Sequence, residues 1–312
     1  MFSIIIPFLD RIELLCETIQ YFKKQTYKDW ELILVDDGSC EKGLEKVFLF
    51  IETDKHIRYL KRPESVPEGG NGARNYGMEQ AQNDWIIFYD SDDILLPDGL
   101  VERKKVIDKN NSTDLFIFKT GFFDQKNNKY NNNYKMPDSV EKLVDAFLNR
   151  EVYFQTGSMV WKNSFVKEIK GWNNTLRCFQ DFDIFLRASN STRNIWVDSS
   201  NEIFHYYRIN AAHSIASAYK TKTYKLHAFT ASLQIEHYVS SKRMNNFKIF
   251  VKNYFVEWSV LHLGFAFPLH FVLKNPFYKN ISKIVFLGWC FQTYLNRIKV
   301  FLSSLRAKNS QF

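Results

Sequence analysis

Two acidic clusters have the composition and spacing to do chemistry: Asp36-Asp37-Gly38-Ser39 and Asp90-Ser91-Asp92-Asp93. Each directly follows a short apolar run, residues 31–35 (ELILV) and 85–89 (WIIFY). In an open α/β sheet, ligands bind outside the carboxyl ends of the strands. Five carboxylates gathered at one sheet edge repel strongly at low dielectric, so something positive or proton-donating must share that edge. A divalent cation carrying a diphosphate meets the need, because Mg²⁺ and Mn²⁺ take hard oxygen ligands and substrate phosphates. The competing reading makes each cluster a strand-end turn, where Asp and Gly are common. Two clusters at matched positions favour the site.

The elements that must position these residues follow from periodicity. Short β-branched or apolar runs predict strands over residues 3–6, 31–35, 57–60, 85–89, 114–118, 158–161 and 202–208. Between them, Ile12, Leu15, Ile19 and Phe22 share one helical face. A glycine-rich stretch from Gly69 to Gly77 opens a helix carrying Met78 and Ala81. Helices are also expected over residues 98–109, 139–150 and 181–190. Strands alternating with helices predict an α/β fold with a largely parallel sheet. Residues 124–135 are polar and Asn-rich and read as a loop or a β-turn excursion. After about residue 220, Gly, Pro and Asp thin out while aromatic residues and Lys rise. Helical periodicity then runs through 223–239, 247–272 and 284–305. The expected organisation is a catalytic domain over 1–219 and a helical, basic, aromatic region over 220–312.

A chain of 312 residues with 45% apolar and 17% aromatic residues can bury a large core. The net charge of +8 points to phosphorylated ligands, anionic lipid or nucleic acid without choosing among them. The absence of an arginine-rich stripe ranks nucleic acid last. Cysteines at 16, 40, 178 and 290 form no CxxC pair, which argues against a zinc site and suits a reducing cytoplasm. The opening MFSIIIPFLD lacks a basic segment and a long apolar core, so it reads as a buried strand and not a signal peptide.

An ordered set of segments resembles the family 2 glycosyltransferases, inverting enzymes with the GT-A fold. The set is SIIIPFLDR, Gln25-Thr26-Tyr27 before WELILVDDGS, Gly72-Ala73-Arg74-Asn75 with Gly77, and Tyr89-Asp90-Ser91-Asp92-Asp93. It continues with Lys170-Gly171-Trp172 before Gln180-Asp181, and Tyr207-Arg208 before His213-Ser214. The resemblance covers roughly residues 2–215. It implies a mixed α/β GT-A sheet, a nucleotide-sugar donor with UDP as the default, and a saccharide or lipid-linked acceptor. The cofactor it implies is Mn²⁺ or Mg²⁺ at a DXD motif.

The same resemblance implies roles. Pro7 lies at the nucleotide pocket and Asp36 contacts base or ribose. Asp37 faces the same pocket or caps the turn. Arg74 supports the acidic edge or contacts phosphate, and Asp90 lies near ribose or metal. Asp92 is the metal ligand, with Asp93 assisting it or steering the donor sugar. Asp181 is the general base, beside Gln180 and an acceptor-stacking or core Trp172. His213 reaches metal or diphosphate, and Arg208 binds diphosphate or forms a salt bridge.

Three departures bear on this: Phe8-Leu9-Asp10-Arg11 where the family has Asn after the first Pro, Gln180 in place of Glu, and Asn173-Asn174 after Trp172. A sugar nucleotidyltransferase would need a glycine-rich loop after the first strand, which PFLDRIELL lacks. A non-catalytic, membrane-associated module retaining the fold is the other alternative. Residues 258–273 form an uncharged run interrupted by Pro268, too short for a comfortable membrane span. Residues 292–306 read as a basic amphipathic helix resting on an anionic membrane, or as part of a subdomain packed on the catalytic domain or a second subunit. The expected location is cytoplasmic, with peripheral contact at the inner face of the cell membrane.

Overall fold

In the computed structural model the described residues are 1–52, 54–149, 151–192, 194–200, 202–209, 221–253 and 281–295. They fall in two compact units, one within Met1–Val144 and Val152–Ala218, the other within Asp145–Glu151 and Tyr219–Phe312. The strands are β1 (Phe2–Phe8), β2 (Trp30–Asp36), β3 (Ile57–Lys61), β4 (Trp85–Phe88), β5 (Ile94–Leu95), β6 (Leu115–Ile117), β7 (Thr120–Asp124), β8 (Lys129–Asn131), β9 (Met159–Lys162), β10 (Ile195–Val197) and β11 (His205–Ile209). The helices are α1 (Ile12–Lys23), α2 (Glu41–Ile51), α3 (Gly70–Gln80), α4 (Gly99–Lys109), α5 (Val140–Leu148), α6 (Asn163–Glu168), α7 (Gln180–Ser191), α8 (Lys222–Ile235), α9 (Met244–Val251) and α10 (residues 283–295).

The first unit is built on a seven-stranded sheet in the order β10-β6-β9-β4-β1-β2-β3. β1 pairs in parallel with β2 and β4, β2 with β3, and β6 with β10, while β9 runs antiparallel between β4 and β6. This is the expected mixed, largely parallel arrangement. Every residue of β1 is buried. A central parallel strand is covered on both faces, so it reads as one continuous apolar run. On one face Ile4 and Ile6 join Leu15, Ile19 and Phe22 of α1 in the core. On the other, a Cβ at Gly77 would lie 2.4 Å from Ile5 Cγ2, so this glycine lets α3 lie close on the sheet. Pro7 is tolerated in β1 because its β4-facing side is past the ladder, whose last bond runs from the Tyr89 N–H to the Ile5 carbonyl at 2.9 Å.

A second sheet has the order β5-β11-β7-β8. The Asn-rich stretch, expected as a loop or a β-turn excursion, lies in a hairpin, with β7 and β8 antiparallel across a turn at Asn128, φ 49°. β5 follows Asp93 and pairs with β11, so the acidic turn at 90–93 joins the large sheet to the small one. In the second unit the Arg243 Nε donates to Asp145 Oδ1 at 2.7 Å. The run 258–273 and most of 292–306 lie outside the described residues. Among the described residues no helix is long and apolar enough to cross a membrane.

Candidate active site

The carboxyl ends of β1, β2 and β4 lie side by side, since Phe8 is in register with Asp36 and Ile5 with Phe88. The strand order reverses between β1 and β4, which is where ligands bind in such sheets. After β2 the chain turns at Gly38, φ 113°. Asp36 Oδ1 accepts from the N–H groups of Gly38 (3.1 Å) and Ser39 (2.8 Å), and Oδ2 accepts from the Tyr59 hydroxyl (2.8 Å). Burial by itself raises the Asp36 carboxyl, but the bonds from Ser39, Tyr59 and Gly38 outweigh it and hold its pKa below the usual range. Asp36 is 1% exposed. Its side chain clamps the turn from inside, and Oδ2, with Tyr59 as its one hydrogen-bond partner among the described residues, keeps a second lone pair. Asp37 accepts from the Gly69 N–H (2.8 Å to Oδ2) and from Arg62 Nε, fastening the segment that leads into α3.

Beyond β4, Asp90 Oδ1 accepts from Arg74 Nη2 at 2.6 Å, and Asp92 Oδ2 accepts from Arg11 Nη2 at 2.6 Å. Burial and the neighbouring Asp90 charge push the Asp92 carboxyl up, while Arg11 opposes them. Arg11 precedes α1 in a left-handed conformation (φ 54°), directly after Asp10 (φ 52°). Each such non-glycine residue costs about 1–2 kcal/mol. Asp10 offsets part of this, donating its N–H to Ser39 Oγ (2.8 Å) and accepting the Cys40 N–H on Oδ1 (2.9 Å). The strained pair thus ties the first loop to the second and aims Arg11 at Asp92.

Asp93 is fully buried, with Oδ2 2.9 Å from His205 Nε2 and Oδ1 accepting the Arg208 N–H at 3.2 Å. Burial, then the Asp90 and Asp92 charges, raises the Asp93 carboxyl, and burial keeps the His205 imidazole neutral. Asp93 locks the acidic turn to β11. Its side chain, expected from the motif to assist a metal or steer a sugar, has no exposed atom in this structure. Arg208 is also buried: Nε donates to the Asp92 carbonyl (2.7 Å) and Nη2 to Glu17 Oε1 (2.8 Å). It forms a salt bridge with Glu17.

Helix α3 holds the segment before α7. Asn75 exchanges two bonds with the Trp172 backbone, each 2.8 Å, and Asn71 Nδ2 donates to the Asn173 carbonyl at 2.7 Å. Arg74, on the same face, lies 4.6 Å from the Trp172 ring centroid. Trp172 is 2% exposed, with its ring edge-on to Phe88. It is a buried platform for Arg74, and the alternative of stacking on an acceptor sugar is not available to it. A Cβ at Gly72 would sit 1.8 Å from the Pro67 carbonyl oxygen, so only glycine lets this helix start where it does.

Asp181 is the second residue of α7, after Phe179 in a left-handed conformation. Its Oδ1 accepts from the Thr156 hydroxyl at 2.7 Å. Burial raises the Asp181 carboxyl and the Asp90 charge adds to the effect, while Arg74 and Thr156 oppose it. Gln180 turns its amide N–H back to the Leu176 carbonyl at 3.0 Å. The Tyr207 hydroxyl is pushed up by burial and then by the charges of Asp93, Asp90, Asp92 and Asp181, so it remains a donor. These mutual effects place Asp90, Asp92 and Asp181 in one region of the first unit. His213 lies outside the described residues.

The positive charge that the acidic edge demands is supplied in large part by the chain itself, through Arg11, Arg62, Arg74 and Arg208. Room for a cation remains: Asp90 and Asp92 each commit one oxygen to an arginine and leave the other unbonded among the described residues. Among those residues no group of three or more His, Cys, Asp or Glu forms a metal cage. Mg²⁺ and Mn²⁺ need only one or two carboxylates when substrate phosphates and water complete the shell. The donor set fits such an ion with a diphosphate ligand. Sequence reasoning named Arg11 only as a departure and did not see Arg62, Tyr59 or Thr156. Their partners lie 81, 25, 23 and 25 positions away, beyond any local pattern.

Comparison with known proteins gives the family and the fold. The model of "Glycosyl transferase family 2" matches residues 3–170. A UDP-Glc:alpha-D-GlcNAc-diphosphoundecaprenol beta-1,3-glucosyltransferase of Escherichia coli is 33% identical over 114 residues, covering 36% of this chain and 44% of that protein. Curated relatives matched at 33–38% identity are spanned over only 16–44% of their own length. Among solved structures, S. aureus TarS 1-349 in complex with UDP-GlcNAc superimposes with a TM-score of 0.55 at 15% identity, covering 94% of this chain and 89% of that one. The mannosyltransferase PcManGT of Pyrobaculum calidifontis, in complex with GDP-Man and Mn²⁺, gives 0.54 at 12% identity, covering 95% and 86%. These likenesses establish the GT-A fold. With the family model matched over more than half its length, this chain belongs to glycosyl transferase family 2.

Proposed function

We propose that the chain is an inverting glycosyltransferase that moves a sugar from a nucleotide-diphosphate sugar to an acceptor hydroxyl, in bacterial cell-surface polysaccharide or glycolipid synthesis. The observation that carries this reading is Asp181: a carboxyl raised above its usual range, held by Thr156, in the region of Asp90 and Asp92. A general base works best with a pKa lifted toward the working pH. The Asp181 oxygen that takes no hydrogen bond among the described residues accepts the proton of the acceptor hydroxyl as the hydroxyl oxygen forms its bond to the anomeric carbon. The bond from that carbon to the diphosphate breaks, and the electron pair leaves with the phosphate. One displacement opposite the leaving group inverts the configuration; the opposed groups of inverting glycosidases are the analogy.

Asp92 and Asp90, through their second oxygens, would hold Mn²⁺ or Mg²⁺, which supplies charge stabilisation to the departing diphosphate. Arg74 orients Asp90, Arg11 orients Asp92, and Arg208 fixes the Asp92 backbone. The UDP-GlcNAc bound by TarS and the UDP-Glc in the name of the Escherichia coli protein support a UDP-sugar as the first donor to test, with the GDP-Man of PcManGT making a GDP-sugar the second. A panel of nucleotide sugars, each with and without Mn²⁺, tests the reading by thermal shift. A true donor at 100 times its Kd adds about 2.7 kcal/mol of apparent stability. One donor is expected to raise Tm in the presence of Mn²⁺. Failure of every nucleotide sugar, with and without Mn²⁺, would contradict the proposal.

For the second unit we propose contact with an anionic membrane, which suits the lipid-linked acceptor in the name of the Escherichia coli relative. In α10, Phe286 and Cys290 are buried, while the opposite side exposes Ile284 (82%) and Phe291 (53%). From Tyr219 to Phe312 the sequence has fourteen Lys and Arg against only Glu236 and Glu257. A basic segment with an exposed apolar stripe suits an anionic interface. The full chain is expected to float with phosphatidylglycerol vesicles and not with phosphatidylcholine vesicles, and Ile284→Asp is expected to weaken flotation. No flotation with either vesicle would overturn this, and a concentration-dependent dimer lost in Ile284→Asp would assign the face to a second copy.

A further inference from the structure

We propose that Thr156 is a positioning residue for Asp181, fixing which carboxylate oxygen is available to the acceptor and holding that carboxylate in its charged form; this rests on the reading of Asp181 as the base. Thr156 is buried, and its hydroxyl donates to Asp181 Oδ1 at 2.7 Å. The other Asp181 oxygen takes no hydrogen bond among the described residues, so the pair has one anchored and one unbonded oxygen.

The turn that carries Thr156 is itself held on several sides. Its 3₁₀ segment Thr156–Ser158 is closed by Ser158 Oγ, which donates to the Gln155 carbonyl (2.6 Å) and accepts the Gln155 N–H (3.1 Å). The Phe118 N–H donates to the Ser158 carbonyl at 2.9 Å. The guanidinium of buried Arg103 donates to the Gly157 carbonyl at 2.7 Å. A Cβ at Gly157 would lie 2.7 Å from His205 Nε2 and 2.9 Å from the Tyr89 ring, so the turn is packed against Tyr89 and against His205, which also bonds Asp93. A rigid donor pins a catalytic oxygen more closely than a mobile one, and small misplacements of such groups are costly in rate.

The hydroxyl also matters electrostatically. The groups bearing on Asp181 are the Asp90 charge from the acidic turn, the Arg74 charge from α3 and Thr156, while Tyr207 of β11 feels Asp181 in turn. A hydrogen bond to the charged form favours it, so removal of the hydroxyl leaves burial and Asp90 less opposed.

The test follows the ¹³Cγ signal of Asp181 in protein labelled at Asp, assigned by its disappearance in Asp181→Asn, through a pH titration. In Thr156→Val its midpoint is expected to rise by about one pH unit. In Thr156→Ser, which keeps the hydroxyl, it is expected to return close to the wild-type value. The acid limb of kcat/KM for the donor identified by the panel, with donor hydrolysis as the assay, is expected to move in parallel while KM stays near wild type. An unchanged midpoint in Thr156→Val, or a shift that Thr156→Ser fails to reverse, would overturn the proposal. If Asp181→Asn retained full activity, the base assignment would fail by itself, and the titration of Asp181 would still report whether Thr156 contacts it.

Discussion

Replacing Asp181 by Asn is expected to lower transfer by about 100- to 10,000-fold, the usual contribution of a positioned general base, while donor and Mn²⁺ binding persist. Asn keeps the shape and can still accept from Thr156, so the loss reports chemistry. The sign of the stability effect separates this outcome from misfolding. The folded-state pKa of Asp181 is raised above its unfolded value. Its protonation therefore favours the fold at low pH, and that contribution is lost as pH rises through the raised value. At neutral pH the charged carboxylate works against folding, so Asp181→Asn is not expected to lower Tm. For the wild type, activity is expected to fall as pH drops through the raised pKa, giving an acid limb above the ordinary Asp range. Kinetics of the variant beside a thermal melt check both halves.

The second large effect is expected for Asp92→Asn. Cation stabilisation of a departing diphosphate contributes several kcal/mol, and about 4 kcal/mol corresponds to roughly 1,000-fold in rate. Unlike Asp181→Asn, this variant is expected to lose the metal-dependent part of donor binding. Asn can still accept from Arg11, and Arg208 grips the Asp92 carbonyl, which the substitution leaves in place. Unimpaired turnover in Asp92→Asn, with Mn²⁺ dependence retained, would remove Asp92 from the cation site. Asp93, in contrast, belongs to the scaffold, because both its oxygens are spent on His205 and the β11 backbone.

Much of this fold is legible in the sequence because the elements that build it have unambiguous periods. The run FSIIIPF can only be a strand covered on both sides, and ELILVDD carries its acidic end to the same edge. Helix α2 escaped because its pattern is weak: only Leu44 and Val47 are buried, and Leu49 is 73% exposed. β5 is two residues long and follows directly on Asp93, so nothing local marks it as a strand. At the site, sequence order supplied Asp90, Asp92 and Asp181. It could not supply the occupancy of their oxygens, which depends on residues brought in by the fold. Asp36 reads as a ligand-binding carboxylate by type and position, and nothing local shows that Tyr59 from the neighbouring strand shares its Oδ2. Trp172 shows the same limit, since an aromatic ring beside a motif serves equally as a surface for sugar or as a wall for Arg74.

Manganese binding read by electron paramagnetic resonance, with and without UDP, addresses the centre of the account. Two carboxylate oxygens, with no third protein ligand among the described residues, make a weak site until a diphosphate completes it, so free Mn²⁺ signal should drop sharply only when UDP is added. The loss should persist in Asp181→Asn and vanish in Asp92→Asn. Tight Mn²⁺ uptake in Asp92→Asn, or no uptake by the wild-type protein with UDP present, would show that the acidic rim of this sheet does not hold a nucleotide-bound cation.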